Sequence, residues 1–202
     1  MTILPLTVGP LDTNCYLVSS GNHCVIIDPG EDADFVTSTI IEHKLTPLAI
    51  LLTHAHWDHC LGTLDLKLNF NPPIYLHQAD LFLYRTAHKG AVKRTGKELP
   101  PLPQPDYYLK DNQTLHFSDL AFKVIHTPGH TPGSVCFLIE NHLFSGDTLF
   151  ASGVGRADFY YSDQKKLQSS LIQISRLSSS TLIYPGHEEI GFPLGDSFPS
   201  PV

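Results

Sequence analysis

The segment that most constrains the fold is an apolar run at residues 48–53 with a histidine-rich sequence directly behind it. The run has the length of a strand and no polar alternation, which indicates a strand covered on both faces. The six residues that follow read His54-Ala55-His56-Trp57-Asp58-His59. Because side chains alternate along an extended chain, His54 and His56 point to one side. Asp58 and His59 come after the strand end, where the backbone can turn toward the same point.

These side chains predict a metal site. Imidazole nitrogens and carboxylate oxygens are ligands that suit Zn²⁺, Fe and Mn²⁺. Four such ligands within six residues are more than one tetrahedral ion can easily take from so short a segment, so the spacing favours two ions. An isolated His-x-His pair is a weak signal, whereas the whole cluster at the end of an apolar strand is specific.

The rest of the chain alternates short apolar runs with helical patterns. We expect strands at 3–8, 15–18, 24–27, 48–53, 74–76, 120–125, 135–139, 142–144 and 181–184. We expect helices at 32–45, 62–70, 78–88 and 163–177, and a loop or lid at 96–106. Each half of the chain has strands first and a helix last, which predicts two sheets packed together with helices outside. The first of these helices is expected to bury Phe35, Ile40 and Ile41.

Length and charge exclude several classes of protein. With 202 residues, we expect a single domain over residues 1–202, with 188–202 a short tail. A net charge of −7, from 13 Lys and Arg against 20 Asp and Glu, argues against a nucleic-acid partner. The sequence has no apolar stretch long enough to cross a membrane. Residues 1–10 carry no positive charge and no long apolar stretch, so we expect no signal peptide. The four cysteines are scattered and are interpreted as reduced thiols, so a cytoplasmic protein is expected.

The histidine cluster and four further segments together resemble the metallo-β-lactamase superfamily. Asp28-Pro29-Gly30 is similar to the early turn of that family. Later segments in the same order are similar to its third-histidine loop, its bridging-aspartate segment and its last ligand loop: 127–134, 144–150 and 185–187. Five elements in the right order are far more specific than any one of them. The resemblance implies an αββα sandwich, an α+β fold of two mixed sheets packed face to face.

The resemblance also implies a set of metal ligands. One ion would be held by His54, His56 and His130. A second would be held by Asp58, His59 and His187, with Asp147 bridging both. The expected cofactors are two divalent ions, zinc first, with iron or manganese as alternatives. The implied reaction is hydrolysis by a metal-bridged hydroxide, with Asp58 and Asp147 as the catalytic carboxylates.

Within the superfamily, the chain resembles the short members of the glyoxalase II group, the hydroxyacylglutathione hydrolases. A flavodiiron-like protein would have an acid at the position of His56, an exported β-lactamase would carry a signal peptide, and a nuclease would need a phosphate-binding surface. The glyoxalase II loop after the bridging aspartate carries a cation, here Arg156, for the glycine carboxylate of glutathione. The alternative for Arg156 is an internal ion pair with Asp158 or in the neighbourhood of Asp147. The expected substrate is therefore a small thioester of the S-lactoylglutathione type.

Some alternatives stay open on the sequence alone. Because only fifteen residues follow His187 in this sequence, we expect no C-terminal helical domain of the kind with which long glyoxalases II bind glutathione, and another thioester or ester is an alternative substrate. A glutathione persulfide dioxygenase with a single iron has a similar loop around Arg156. His126 is a candidate neighbour of the ligands, Cys60 either lines the site or packs, and Trp57 packs beneath the loop or forms a wall of the cleft. The oligomeric state cannot be inferred.

Overall fold

The computed structural model of the chain describes residues 1–96 and 98–197. Two six-stranded mixed sheets pack face to face, and helices cover their outer faces. The expected αββα sandwich is confirmed. The predicted loop at 96–106 includes Lys97, which lies outside the described residues, as do residues 198–202.

The first sheet is built from the first half of the chain. Its strands, in both chain order and spatial order, are β1 (Thr2–Val8), β2 (Thr13–Ser20), β3 (His23–Ile27), β4 (Thr46–Leu51), β5 (Ile74–His77) and β6 (Tyr107–Leu109). The first three are antiparallel, as short turns allow, and β3 to β6 run parallel. The parallel ends of β3 and β4 therefore open at the same edge of the sheet.

The second sheet uses the second half of the chain. Its strands are β7 (Thr114–Phe117), β8 (Leu120–His126), β9 (Val135–Ile139), β10 (His142–Gly146), β11 (Leu182–Pro185) and β12 (Phe192–Pro193). The spatial order is β12-β11-β10-β9-β8-β7, and only β10 and β11 pair in parallel. Strand β12 lies within residues 188–202, which were expected to form a tail, and it pairs with β11. Phe192 and Leu194 bury their side chains in the apolar cluster on the outer face of this sheet.

The helices lie outside the two sheets. They are α1 (Ala33–Glu42), α2 (Trp57–Cys60), α3 (Thr63–Phe70), α4 (Leu81–Tyr84), α5 (Ala87–Thr95), α6 (Gln164–Ile174) and α7 (Leu194–Ser197). Helix α1 buries Val36 and Ile40, whereas Phe35 and Ile41 are 46% and 63% exposed. The prediction that Phe35 and Ile41 lie on its apolar side is wrong, because the buried positions follow a narrower stripe of helical spacing.

The core between the sheets follows from strand alternation. Val25 and Ile27 of β3 face the second sheet, whereas Cys24 and Ile26 of the same strand face away from it. Cys24 and Ile26 are fully buried as well, which explains why these strands have no polar alternation.

The helix expected at 78–88 is interrupted. Residues Gln78–Asp80 form a 3-10 turn, α4 follows, and α5 begins only at Ala87 and continues to Thr95. The His77 ring accepts a hydrogen bond from the Ala79 N–H, which caps the turn. The turn also directs the carboxylate of Asp80 into the interior, where it is fully buried. Continuous helical spacing cannot reveal such a break.

Candidate metal centre

Strand ends from both sheets deliver seven ligand-type side chains to one edge of the sandwich. His54 and His56 follow β4, Asp58 and His59 lie in the short helix α2, His130 lies in the β8–β9 loop, Asp147 follows β10, and His187 follows β11. They form two groups of potential metal ligands whose donor atoms lie within 4.8 Å of one another. The structure thus brings together every side chain that the sequence predicted as a ligand, and their role as ligands stays a prediction.

Asp147 is placed by a close approach of the two sheets. The register of β10 against β11 shifts between Phe144 and Gly146, so the strand bulges just before the aspartate. Gly146 has a φ of +49°, and a Cβ there would collide with the Thr53 side chain of the other sheet. A glycine is required at this point to bring the strand ends together.

The first group of ligands surrounds a single point. His56 Nδ1 lies 3.0 Å from both His54 Nε2 and His130 Nε2. Asp147 Oδ2 lies 3.4 Å from His130 Nε2 and 3.9 Å from His54 Nε2. Three ring nitrogens that face one another cannot all be satisfied by mutual hydrogen bonds when the rings are neutral. A cation at their centre would satisfy them all.

The second group has the same form. His59 Nε2 lies 3.3 Å from His187 Nε2, and Asp58 Oδ2 lies 3.6 Å and 3.4 Å from these two nitrogens. Asp147 Oδ1 lies 3.4 Å from His59 Nε2 and 3.7 Å from His187 Nε2. Asp147 therefore turns one carboxylate oxygen toward each group. Its Oδ1 is buried without a hydrogen-bond partner, as expected of an oxygen that would bind a metal. The cluster fits a dinuclear metal site.

The pKa values of the two groups fit the same interpretation. Burial, followed by the neighbouring His130, lowers the pKa of His56 to about 3. Burial and the surrounding imidazoles also lower the pKa of His54, so both rings are neutral and ready to bind a metal. Burial opposes a charge on His59, but the carboxylates of Asp147 and Asp58 outweigh it and raise the pKa of His59 to about 10. The second group therefore attracts positive charge.

Each of the five histidines is oriented by a second contact through its other ring nitrogen. The contacts are His54 Nδ1 with Thr53 Oγ1 (3.1 Å), His56 Nε2 with Tyr161 Oη (2.8 Å), His59 Nδ1 with Asp28 Oδ2 (3.0 Å), His130 Nδ1 with the Arg156 carbonyl (2.8 Å) and His187 Nδ1 with the Leu11 carbonyl (3.0 Å). Such contacts fix the tautomer and orientation of a ligand ring. His56 directs Nδ1 at the cluster, and the other four rings direct Nε2.

Two buried aspartates brace the loops that carry the ligands. Asp28 accepts hydrogen bonds from the Thr53 N–H and hydroxyl, in addition to its contact with His59. Asp80 accepts hydrogen bonds from the Ala55 N–H, the Thr131 hydroxyl and the Gly133 N–H, and so joins the loops of His54 and His130. Asp28 was predicted only as part of a turn, and no role was predicted for Asp80 or Tyr161. Asp80 could have been suspected from the sequence, because it is an acidic residue within an apolar helical pattern.

Comparison with known proteins identifies the family. The model of the metallo-beta-lactamase superfamily matches residues 8–187. This chain belongs to the metallo-beta-lactamase superfamily. The chain is 36% identical over 187 residues to the probable metallo-hydrolase YqgX of Bacillus subtilis, across 90% of this chain and 88% of that protein. It is 34% identical over 177 residues to the hydroxyacylglutathione hydrolase of Francisella tularensis subsp. novicida, across 86% of this chain. The match spans only 62% of that longer hydrolase.

Solved structures of other superfamily members superpose closely. The BLEG-1 B3 metallo-beta-lactamase has a TM-score of 0.89 and 34% identity, with 96% of this chain and 95% of the other covered. TTHA1623 in a di-iron-bound form has a TM-score of 0.87 and 40% identity, with 96% of each chain covered. Within the described residues of this superfamily member, no helix is long and apolar enough to cross a membrane.

A cavity of about 650 Å³ opens over the candidate metal centre of this superfamily member. Its walls include Trp57, Phe159 and Tyr161, together with Arg156 at the rim. Arg156 donates from Nε and Nη2 to the two carboxylate oxygens of Asp158, at 3.0 and 2.9 Å. Its guanidinium also lies 4.7 Å from the centre of the Phe159 ring. Arg156 therefore forms the ion pair with Asp158 and also lines the cavity, and its binding of a substrate carboxylate stays a prediction.

The structure places the other residues that the sequence suggested as neighbours of the site. Cys60 is fully buried and contacts the Ala55 carbonyl, so it packs rather than lines the cavity. His126 stacks on His77 at 4.1 Å, and its Nε2 contacts the Pro132 carbonyl, so this nitrogen is not directed at the ligands. Trp57 forms part of the cavity wall and also packs against the first-sheet cluster. Leu102 of the proline-rich loop packs against that cluster, and none of the described residues of this loop lines the cavity.

Proposed function

We propose that this superfamily member hydrolyses small thioesters, as the hydroxyacylglutathione hydrolase group does. The observation that carries the proposal is the pair of ligand groups bridged by Asp147 beneath a cavity with Arg156 at its rim. The relative from Francisella tularensis that bears the name of that activity supports it. That relative is longer than this chain, so the assignment to this chain is our inference.

Two divalent ions are the proposed cofactors. Zinc suits the nitrogen and oxygen ligands, and the di-iron form of TTHA1623 makes iron the main alternative. When bound, such a pair of ions lowers the pKa of a shared water and polarises a substrate carbonyl. His54, His56, His130 and Asp147 would hold one ion. Asp58, His59 and His187, together with Asp147, would hold the other.

Residues of the chain supply the remaining requirements of the reaction. Asp58 lines the cavity as well as contacting His59 and His187. A carboxylate there can accept a hydrogen bond from the attacking water and orient it toward the substrate. In hydrolysis a C–O bond forms and the C–S bond breaks, which gives an acid and a thiol. The sulfur leaves as a thiolate without a general acid, because a free thiol has a pKa of only about 8.5.

Arg156 is the proposed binding group for a carboxylate on the thiol part of the substrate. Its Nε and Nη2 atoms are engaged by Asp158, and a planar guanidinium has five N–H donors. A substrate carboxylate can therefore take the Nη1 side or displace Asp158. Because both side chains are exposed, water screens their pair and displacement is feasible.

A second candidate function follows from the first ligand group alone. His54, His130 and Asp147 provide two histidines and one carboxylate around one point, a set that is typical of non-haem Fe(II) oxygenases. A glutathione persulfide dioxygenase would use this group with a single iron. The second group, Asp58, His59 and His187, would then have no assigned role, which is why we place hydrolysis first.

One substrate panel tests the proposal. The full chain, loaded separately with Zn²⁺, Fe²⁺ or Mn²⁺, is offered S-lactoylglutathione, glutathione persulfide under oxygen, and a chromogenic β-lactam. We expect thioester hydrolysis that is lost in His54→Ala and Asp147→Ala together with bound metal. His116→Ala, which changes an exposed histidine on β7, serves as the control and stays active. Oxygen uptake or β-lactam opening without thioester hydrolysis would refute the proposal.

A further inference from the structure

Tyr161 joins a predicted metal ligand to the cavity. Its hydroxyl lies 2.8 Å from His56 Nε2, and its ring forms part of the cavity wall. The ring is stacked on Phe159 at 5.4 Å and meets the edge of Phe82 at 5.8 Å. Neighbours on two sides therefore hold the tyrosine ring, and the position of its hydroxyl is well defined.

The tautomer of His56 determines the direction of this hydrogen bond. His56 turns Nδ1 toward His54 Nε2 and His130 Nε2, so its Nδ1 lone pair is the one available to a metal. The proton of a neutral ring then lies on Nε2. His56 must therefore donate, and the Tyr161 oxygen must accept. A phenol carries one proton of its own, and this contact does not use it.

The other outer partners of the ligand histidines differ from Tyr161. Leu11 and Arg156 offer backbone carbonyls, which have no proton to give. The hydroxyl of Thr53 is buried and donates to Asp28. Among these five partners, Tyr161 alone combines a free proton with a side chain that lines the cavity.

We infer that Tyr161 is a catalytic residue that donates a hydrogen bond from its hydroxyl to an oxygen of the acyl part of the bound substrate, with His56 as the group that orients it. The inference rests on the proposed thioester hydrolysis. The Tyr161 hydroxyl would then contact the substrate and also orient the His56 ring. Loss of that hydroxyl should weaken transition-state binding more than it weakens metal binding.

The orientation is tested first, without any substrate. In the Zn²⁺-loaded chain with ¹⁵N-labelled histidine, NMR correlations reveal which ring nitrogen carries the proton. We expect His56 to carry it on Nε2 and the other four ligand histidines to carry it on Nδ1. In Tyr161→Phe, the His56 N–H should exchange faster with water. Tyr160→Phe is the matched control, since its ring is 90% exposed, and it should leave this signal unchanged. A proton on His56 Nδ1 would overturn the inference.

The contact with substrate is tested second. For Tyr161→Phe we expect kcat/KM to fall about tenfold, the value of one good hydrogen bond in the transition state, with two ions still bound per chain. Tyr160→Phe should stay within about twofold of the wild type. Unchanged kcat/KM in Tyr161→Phe, or a loss that only parallels lost metal, would overturn the inference.

A different result would show that the proposed function is wrong. If the wild type hydrolyses no thioester, that proposal is wrong whatever the NMR result. The two tyrosine variants are then compared on whichever compound of the panel the wild type converts. Equal kcat/KM on that compound would contradict the role of Tyr161.

Discussion

The carboxylate of Asp28 lies 3.0 Å from the Nδ1 atom of His59, and both groups are buried. Asp28 itself has a φ of +48°, a conformation that asparagine also tolerates. The turn after β3 thus directs the Asp28 carboxylate at Nδ1 of His59. The other ring nitrogen of His59, Nε2, faces the candidate metal centre. This contact extends the site one layer into the core of the fold.

Asp28→Asn should weaken metal binding without unfolding the protein. The amide can still accept from the Thr53 N–H, but its NH₂ group then faces two donors, the Thr53 hydroxyl and the His59 ring. We expect the affinity for one of the two ions to fall by about 10- to 100-fold, measured by competition with a chelator. Asp119→Asn changes an exposed aspartate in the turn before β8 and should bind both ions normally. Equal affinities in the two variants would contradict a role for Asp28.

Asp80→Asn should destabilise the metal-free protein. Asp80 accepts three hydrogen bonds in the interior, and the amide leaves at least one buried donor without an acceptor. The expected loss in the free energy of unfolding is about 2–3 kcal/mol, measured by urea denaturation after removal of metal. Asp119→Asn again provides the control. A loss below about 0.5 kcal/mol, the usual range for surface substitutions, would show that Asp80 does not hold the loops together.

Gly186→Ala should lower the metal content of the candidate centre. A Cβ at this position would contact Asp147 Oδ1 and lie 2.6 Å from His59 Cε1, so the methyl group would push apart the bridging carboxylate and a ligand ring. Gly153→Ala is the matched control, because a Cβ there meets nothing within 4 Å. We expect fewer than two ions per chain in the first variant and two in the second, measured by elemental analysis. Full metal content in Gly186→Ala would contradict the placement of Asp147 Oδ1.

Asp158→Asn should improve binding of substrates that carry a carboxylate. Removing the charge that occupies Nε and Nη2 of Arg156 frees the guanidinium for the substrate. We expect a lower KM for S-lactoylglutathione and no change for an N-acetylcysteamine thioester, which has no carboxylate in its thiol part. Arg156→Ala should raise KM for the first compound only. If both compounds respond equally, Arg156 does not recognise a carboxylate.

Local patterns predicted much of this fold. The apolar runs located most of the strands, and the order of strands and helices gave the sandwich. Strands β6, β7 and β12, which are two to four residues long, were not predicted. The break between α4 and α5 depends on where Asp80 is buried, which is a tertiary property.

The candidate site was predictable for a related reason. The side chains directed at its centre are of metal-binding types and follow apolar strands, so spacing and residue type pointed to them. The groups behind them are ordinary: Asp28 lies in a turn, Asp80 in a helical pattern and Tyr161 beside another tyrosine. Their contacts with His59, Ala55 and His56 join residues 25 or more positions apart. Only the packed structure brings such pairs together.

Thioester hydrolysis by this chain is proposed to need two bound ions, and a metal titration tests this requirement. The chain is stripped with a chelator, and S-lactoylglutathione hydrolysis is followed as Zn²⁺ is added. We predict no activity without metal, full activity only near two equivalents per chain, and a His187→Ala variant that binds one ion and stays inactive. Activity that is complete without metal, or complete at one equivalent with His187→Ala equally active, would contradict the account.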